Sequence, residues 1–91
     1  MKPLNIGIIG CGKIAQVRHI PEFLDNPNCA VLGYYNRSEA RAIEMAEKYG
    51  GRVYRTYEEM LEDKEIDAVS IAEANHLHAE IAIAALKAGK H

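Results

Sequence analysis

The chain has no tryptophan, a single phenylalanine at Phe23, two cysteines and three prolines, and neither sign of charge dominates it. Cys11 and Cys29 sit in different local settings and make no C-x-x-C spacing, so neither metal nor redox chemistry is expected of them. The four histidines give no zinc site, because His76 and His78 are two apart and point to different helix faces. A formal net charge of -2, with no basic block and no basic face interleaved with aromatics, argues against a nucleic-acid partner. No apolar run approaches the length of a membrane span, so no membrane role is expected. The start, Met1-Lys2-Pro3-Leu4, lacks a secretory h-region and cleavage site, which makes the cytoplasm the expected compartment.

What is present is a globular composition, 48% apolar and 26% charged. At 91 residues the chain is one domain at most, able to bury about 60 to 65% of its unfolded surface. Strands are expected at Leu4 to Ile9, Ala30 to Tyr35, Arg52 to Tyr54 and Ala68 to Ala72. The first and last are nearly continuous apolar runs suited to burial on both faces. Between them lie helical stretches. Glu39 to Tyr49 places Ala42, Ile43, Ala46 and Tyr49 on one stripe, with Ser38 as N-cap and Gly50-Gly51 as its stop. Thr56-Tyr57-Glu58-Glu59 reads as a capping box for a short helix through Leu61, with Glu59 reaching back to the Thr56 amide. The last helix, His76 to Ala88, carries Leu77, Ile81, Ala84, Ala85 and Ala88 inward, with Asn75 as N-cap and Gly89 past its end. In the first helix Pro21 predicts a bend or restart between His19 and Glu22.

Strands alternating with helices define an α/β fold, a parallel sheet of about four strands with flanking helices. Two topologies fit. A dinucleotide-binding half has the strand order 3-2-1-4; a sheet in which the short third strand fails to pair matches a flavodoxin-like arrangement.

Gly10-Cys11-Gly12-Lys13-Ile14-Ala15 follows the first strand as a G-x-G-x-x-A turn. In such a turn Gly10 permits the sharp strand-to-helix reversal, Gly12 lets the backbone approach a pyrophosphate, and Ala15 lets the helix pack on the strand. The N–H groups that open the helix then face the phosphates. After the second strand comes Tyr35-Asn36-Arg37-Ser38, with no acid to accept ribose hydroxyls. Arg37 is the group expected to pair with a 2′-phosphate, and Arg41 adds charge one turn on. The alternative is that both are solvated helix-surface charges.

With His19-Ile20-Pro21, Ile66 to Ala72, Asn75-His76-Leu77-His78 and Ala88-Gly89-Lys90-His91, these blocks resemble the glucose-fructose oxidoreductase and inositol dehydrogenase (Gfo/Idh/MocA) family over essentially the whole chain. The resemblance implies an N-terminal Rossmann domain of an NAD(P)-dependent oxidoreductase acting on sugars, cyclitols and related alcohols. It also implies that a fifth strand, a Glu-Lys-Pro motif with its lysine, and a second domain with a catalytic histidine lie outside these residues. Residues 1–91 are thus expected to be one truncated domain, natural or made, that keeps dinucleotide recognition and lacks hydride-transfer apparatus. A methyltransferase reading of the glycine turn fails at Asn36, where an acid is wanted.

The resemblance places Asn75 and His78 at the family's Asn-x-x-His positions, with His78 toward the nicotinamide. Asn75 also reads as a simple N-cap and His78 as a first-turn surface residue. Glu73-Ala74 stands where the family shows Thr-Pro; the carboxylate either faces the pyrophosphate or turns to solvent. The expected cofactor-binding residues are Gly10, Gly12, Lys13, Ile14, Asn36, Arg37, Ser38, Arg41, Asn75 and His78, with NADP favoured over NAD. No catalytic residue and no metal ligand is assigned. The fourth strand, built as an interior strand, is expected to leave one edge unpaired and to drive homodimerisation.

Overall fold

The computed structural model describes residues 3–11, 20–72 and 75–90, the first four residues of the last helix by their backbone alone. In chain order the elements are β1 (Leu4–Ile9), α1 (Ile20–Leu24), β2 (Cys29–Tyr35), α2 (Glu39–Tyr49), β3 (Arg52–Val53), α3 (Tyr57–Glu62), β4 (Ala68–Ile71) and α4 (Asn75–Lys87). All strand pairs are parallel and the order is β3-β2-β1-β4, so the dinucleotide-binding topology holds and the flavodoxin-like alternative does not. The short β3 does pair: Gly33 faces Arg52, Tyr34 faces Val53, and the Tyr54 amide extends the ladder to the Tyr34 carbonyl at 3.0 Å.

Alternation along β1 splits the core into two layers, because successive side chains leave opposite faces of the sheet. Ile6 and Ile8 join Tyr34, Ile20, Ala42 and Met45 on the side of α1 and α2. Ile9 joins Met60, Ile66 and Ile81 on the side of α3 and α4. Between the Ile6–Val31 and Gly7–Gly33 pairs β2 carries one extra residue, Leu32, a bulge that resets the register. A Cβ on Gly33 would overlap the Tyr54 ring and stand 3.3 Å from the Arg52 carbonyl oxygen. The absence of a side chain is what lets β3 and Tyr54 close over the sheet here.

Three helix details differ from the sequence reading. On α2 the buried residues are Ala42 and Met45, with Ala46 and Tyr49 packed beside them, and Ile43 is 40% exposed. Positions 42, 45, 46 and 49 follow the i, i+3, i+4, i+7 stripe, and Ile43 lies about 100° away from Ala42 around the helix. On α4 Ile81 and Ala85 are buried, and Ala88 is exposed because the helix ends at Lys87 and Ala88 belongs to the following turn. Helix α4 begins at Asn75 itself, one residue before the expected start.

Ser38 occupies the N-cap position of α2 but its side chain makes no capping bond, whereas the Thr56 hydroxyl of α3 accepts the Glu59 amide at 3.1 Å. Helices α2 and α4 stop at the expected glycines, Gly50 and Gly89, both with positive φ. The described part of α1 holds Pro21 in its first turn, where a missing N–H costs nothing. The expected bend involves His19, which lies outside the described residues.

Candidate functional site

The carboxyl ends of β1 and β4 adjoin at the point where the chain, having built outward through β2 and β3, crosses to the other side of β1. Ligands of open α/β sheets bind at such a switch point. Gly10 opens it. Its φ of 94° lies in the left-handed half of conformational space, which a Cβ resists, and its N–H donates to the Tyr35 carbonyl at 2.8 Å. Cys11 follows, fully buried, with its thiol 3.7 Å from the same carbonyl oxygen. It packs as a small filler in the core.

The Cys11 N–H donates to the Asn36 side-chain carbonyl at 2.9 Å, and the Asn36 amide donates to the Ser38 carbonyl at 3.0 Å. One side chain thus ties the turn after β1 to the loop after β2. The Ser38 carbonyl also accepts the Arg41 amide at 3.1 Å, closing the first turn of α2. Arg37 and Arg41 are exposed, and among the described residues neither guanidinium has a hydrogen-bond or ion-pair partner. Among the described residues this corner holds two exposed guanidiniums without a partner, and no carboxylate stands between Tyr35 and Ser38. Behind it the Tyr34 hydroxyl is fully buried with no hydrogen-bond partner among the described residues. Burial pushes its pKa up to about 12, with the Cys11 and Tyr49 groups adding to the shift.

The structure brings together Gly10, Asn36, Arg37, Ser38 and Arg41. Gly12, Lys13, Ile14, Ala15, Glu73 and Ala74 lie outside the described residues, as do the side chains of Asn75 and His78, whose backbone forms the first turn of α4. Among the described residues no group of three His, Cys, Asp or Glu side chains is placed to hold a metal ion, and no helix is long and apolar enough to cross a membrane.

Sequence reasoning missed a polar network at the opposite end of the sheet. Lys90 is 8% exposed and its ammonium donates to the Asp63 and Ile66 carbonyls at 2.8 and 2.6 Å. Asp63 accepts from the Tyr54 hydroxyl at 2.5 Å and pairs with Arg52 at 2.8 Å, and Arg52 reaches Glu65 at 2.9 Å. The Tyr54 bond, the Glu65 amide and Arg52 hold the Asp63 carboxyl below its usual range, and burial with that bond pushes the Tyr54 pKa up to about 12. Asn5 joins β1 to the same region, its N–H donating to Asp67 at 2.8 Å and its side chain to the Glu65 carbonyl at 2.9 Å. Asn5, Arg52 and Tyr54 stood in predicted strands; their partners are loop residues that no periodicity marks.

Parallel order, switch point and a positive-φ glycine after β1 define a Rossmann-type domain, and the residues present fit a dinucleotide: Gly10 after β1, and at the β2 corner Arg37 and Arg41, which have no partner among the described residues. The family model of the Gfo/Idh/MocA oxidoreductases, described as an oxidoreductase family with an NAD-binding Rossmann fold, matches residues 4–91, and the chain belongs to that family. It is 42% identical to the uncharacterized oxidoreductase ORF334 of Rhizobium meliloti, covering 100% of this chain and 28% of that protein. It superposes with a TM-score of 0.94 on KijD10, a 3-ketoreductase from Actinomadura kijaniata solved with NADP, at 37% identity over 99% of this chain and 29% of the other. An NAD-binding protein from Listeria innocua gives a TM-score of 0.89 at 36% identity, covering 99% of this chain and 26% of that one. The chain thus spans less than a third of the length of these relatives.

Proposed function

We propose that this chain is a dinucleotide-recognition domain that binds NADP in preference to NAD and carries out no hydride transfer by itself. The observation that carries the reading is the β2 corner: Arg37 has no partner among the described residues, and the neighbouring position, where an acid would serve the NAD ribose, holds Asn36 with its carbonyl already bonded to Cys11. KijD10, solved with NADP, supports the choice of cofactor, and the Listeria relative keeps NAD as the alternative. Gly10, Gly12, Lys13 and Ile14 are assigned to the pyrophosphate, Arg37, Ser38 and Arg41 to the 2′-phosphate, and Asn75 and His78 to the nicotinamide side. When bound, the cofactor supplies a hydride. The residues that would position a reducible substrate belong to the remaining length of such relatives, and their reductase activity is proposed only for a protein of that length. Neither Cys11 nor Cys29 is in a disulfide, which suits a cytoplasmic setting.

Titrating the chain with NADPH and NADH by calorimetry tests the assignment. Tighter binding of NADPH, with the difference abolished in Arg37→Ala, is the expected result. No heat from either cofactor at millimolar concentration sinks the recognition reading, and equal affinities in the parent sink the role of Arg37.

A second reading rests on β4. It pairs with β1 alone among the described residues, and between β4 and α4 Val69, Ile71, Ala82, Ala85, Leu86 and Lys90 line a mostly apolar groove, with Leu86 72% and Ile83 55% exposed. We propose that the 91-residue chain self-associates there, two copies of β4 extending one sheet across a two-fold axis. Light scattering at high micromolar concentration should give a dimer that Val69→Lys returns to monomer; a parent that is already monomeric rejects it.

A further inference from the structure

Arg37 is flanked on both sides by fixed positions. Tyr35 is held through its carbonyl by the Gly10 N–H, Asn36 through its side chain by the Cys11 N–H, and Ser38 through its carbonyl by both the Asn36 amide and the Arg41 N–H. The orientation of the Asn36 amide follows from its partners. A backbone N–H only donates and a carbonyl only accepts, so the reversed amide would set like against like at both ends. No other side chain of this length carries both functions. Aspartate would keep the acceptor for Cys11 but turn an oxygen toward the Ser38 carbonyl.

Because its oxygen is committed to Cys11 and its nitrogen to Ser38, Asn36 is poorly placed to receive ribose hydroxyls. Its location gives it a different task. We propose that Asn36 is a positioning residue for cofactor selectivity: by strapping the Arg37 loop to the turn after β1, it fixes the guanidinium where a 2′-phosphate arrives, without itself touching the dinucleotide. The inference rests on the NADP reading above and adds to it the device that sets the preference. It also makes the two ends of the cradle one unit, since the residue that follows Gly10 and the residue that follows Arg37 hang from the same amide.

The test compares the parent, Asn36→Ala, Arg37→Ala and the double variant, titrating each with NADPH and with NADH. A net hydrogen bond is worth roughly three- to tenfold in an equilibrium. Asn36→Ala should therefore reduce the preference for NADPH by about that factor, and the double variant should show the same ratio as Arg37→Ala alone. Amide exchange at Cys11 should accelerate in Asn36→Ala without ligand, a readout of the strap itself. If Asn36→Ala fails to fold by circular dichroism, Asn36→Ser takes its place, since it is too short to bridge Cys11 and Ser38 and brings no charge to the ribose, and should likewise lose the preference. A parent that binds neither cofactor overturns the NADP reading and this inference with it. A parent that prefers NADPH, with the ratio unchanged on substitution at Asn36, or with additive losses in the double variant, overturns this inference alone.

Discussion

At the amino-terminal end of the sheet Lys90, Arg52, Asp63 and Asp67 each hold a partner within the protein, whereas at the carboxyl end Arg37 and Arg41 hold none among the described residues. Both ends carry loops and helix termini, and the contrast between their described charges lies in residue choice. A charge already paired and partly buried contributes to holding the fold and has little left to offer a ligand. An exposed and unpaired cation adds nothing to the fold and remains free to meet an anion. Stability and recognition are therefore separable along the strand axis.

Lys90→Met is the strongest way to break the first half of that contrast. It strands two carbonyls in a buried site, and we expect a loss of about 2 to 4 kcal/mol in urea unfolding with no change in the NADPH to NADH ratio. A changed ratio would show the two ends to be coupled. Gly10→Ala acts at the other end. Its positive φ makes a Cβ cost about 1 to 3 kcal/mol, and unlike Lys90→Met it should also weaken both cofactors in calorimetry.

Acid titration sharpens the picture of the paired end. The Asp63 carboxyl is held below its ordinary 3.8, so its stabilisation is complete above that value and lost as pH falls through the lower folded value. Tyr54→Phe removes the largest cause of the shift, and the acid limb of the stability curve should flatten. The smallest effect has the opposite sign. Tyr34→Phe deletes a buried hydroxyl that has no partner among the described residues and should leave the midpoint unchanged or raise stability by up to about 1 kcal/mol.

What the sequence made legible was local or periodic. The strands, the positive φ of Gly10, the Thr56 cap and the stops at Gly50 and Gly89 each follow from a few neighbouring residues, and the strand order follows from alternation once the two-residue β3 pairs. On α2 hydropathy points to Ile43 where the helix angle buries Met45, so one member of the stripe differs. The residue type of Ser38 suggests a side-chain cap, yet the bonds to its carbonyl come from the Asn36 side chain and the Arg41 amide. Asn36 was singled out for the cofactor, and its two bonds reach residues 25 and 2 positions away, of which only the shorter has any local signal. Lys90 gave no warning of burial, since a lysine near a helix end ordinarily stays in water.

The pairing of β1 with β4 has a consequence for how the chain is made. Asn5 meets Asp67 across 62 residues, so the central strand can find its neighbour β2 early and must wait for β4. At ribosomal speeds of about 5 to 20 residues per second, one edge of an apolar strand stands open for several seconds on the nascent chain. During that interval Ile6 to Ile9 form the segment on which a chaperone, or a neighbouring nascent chain, has the best chance of landing.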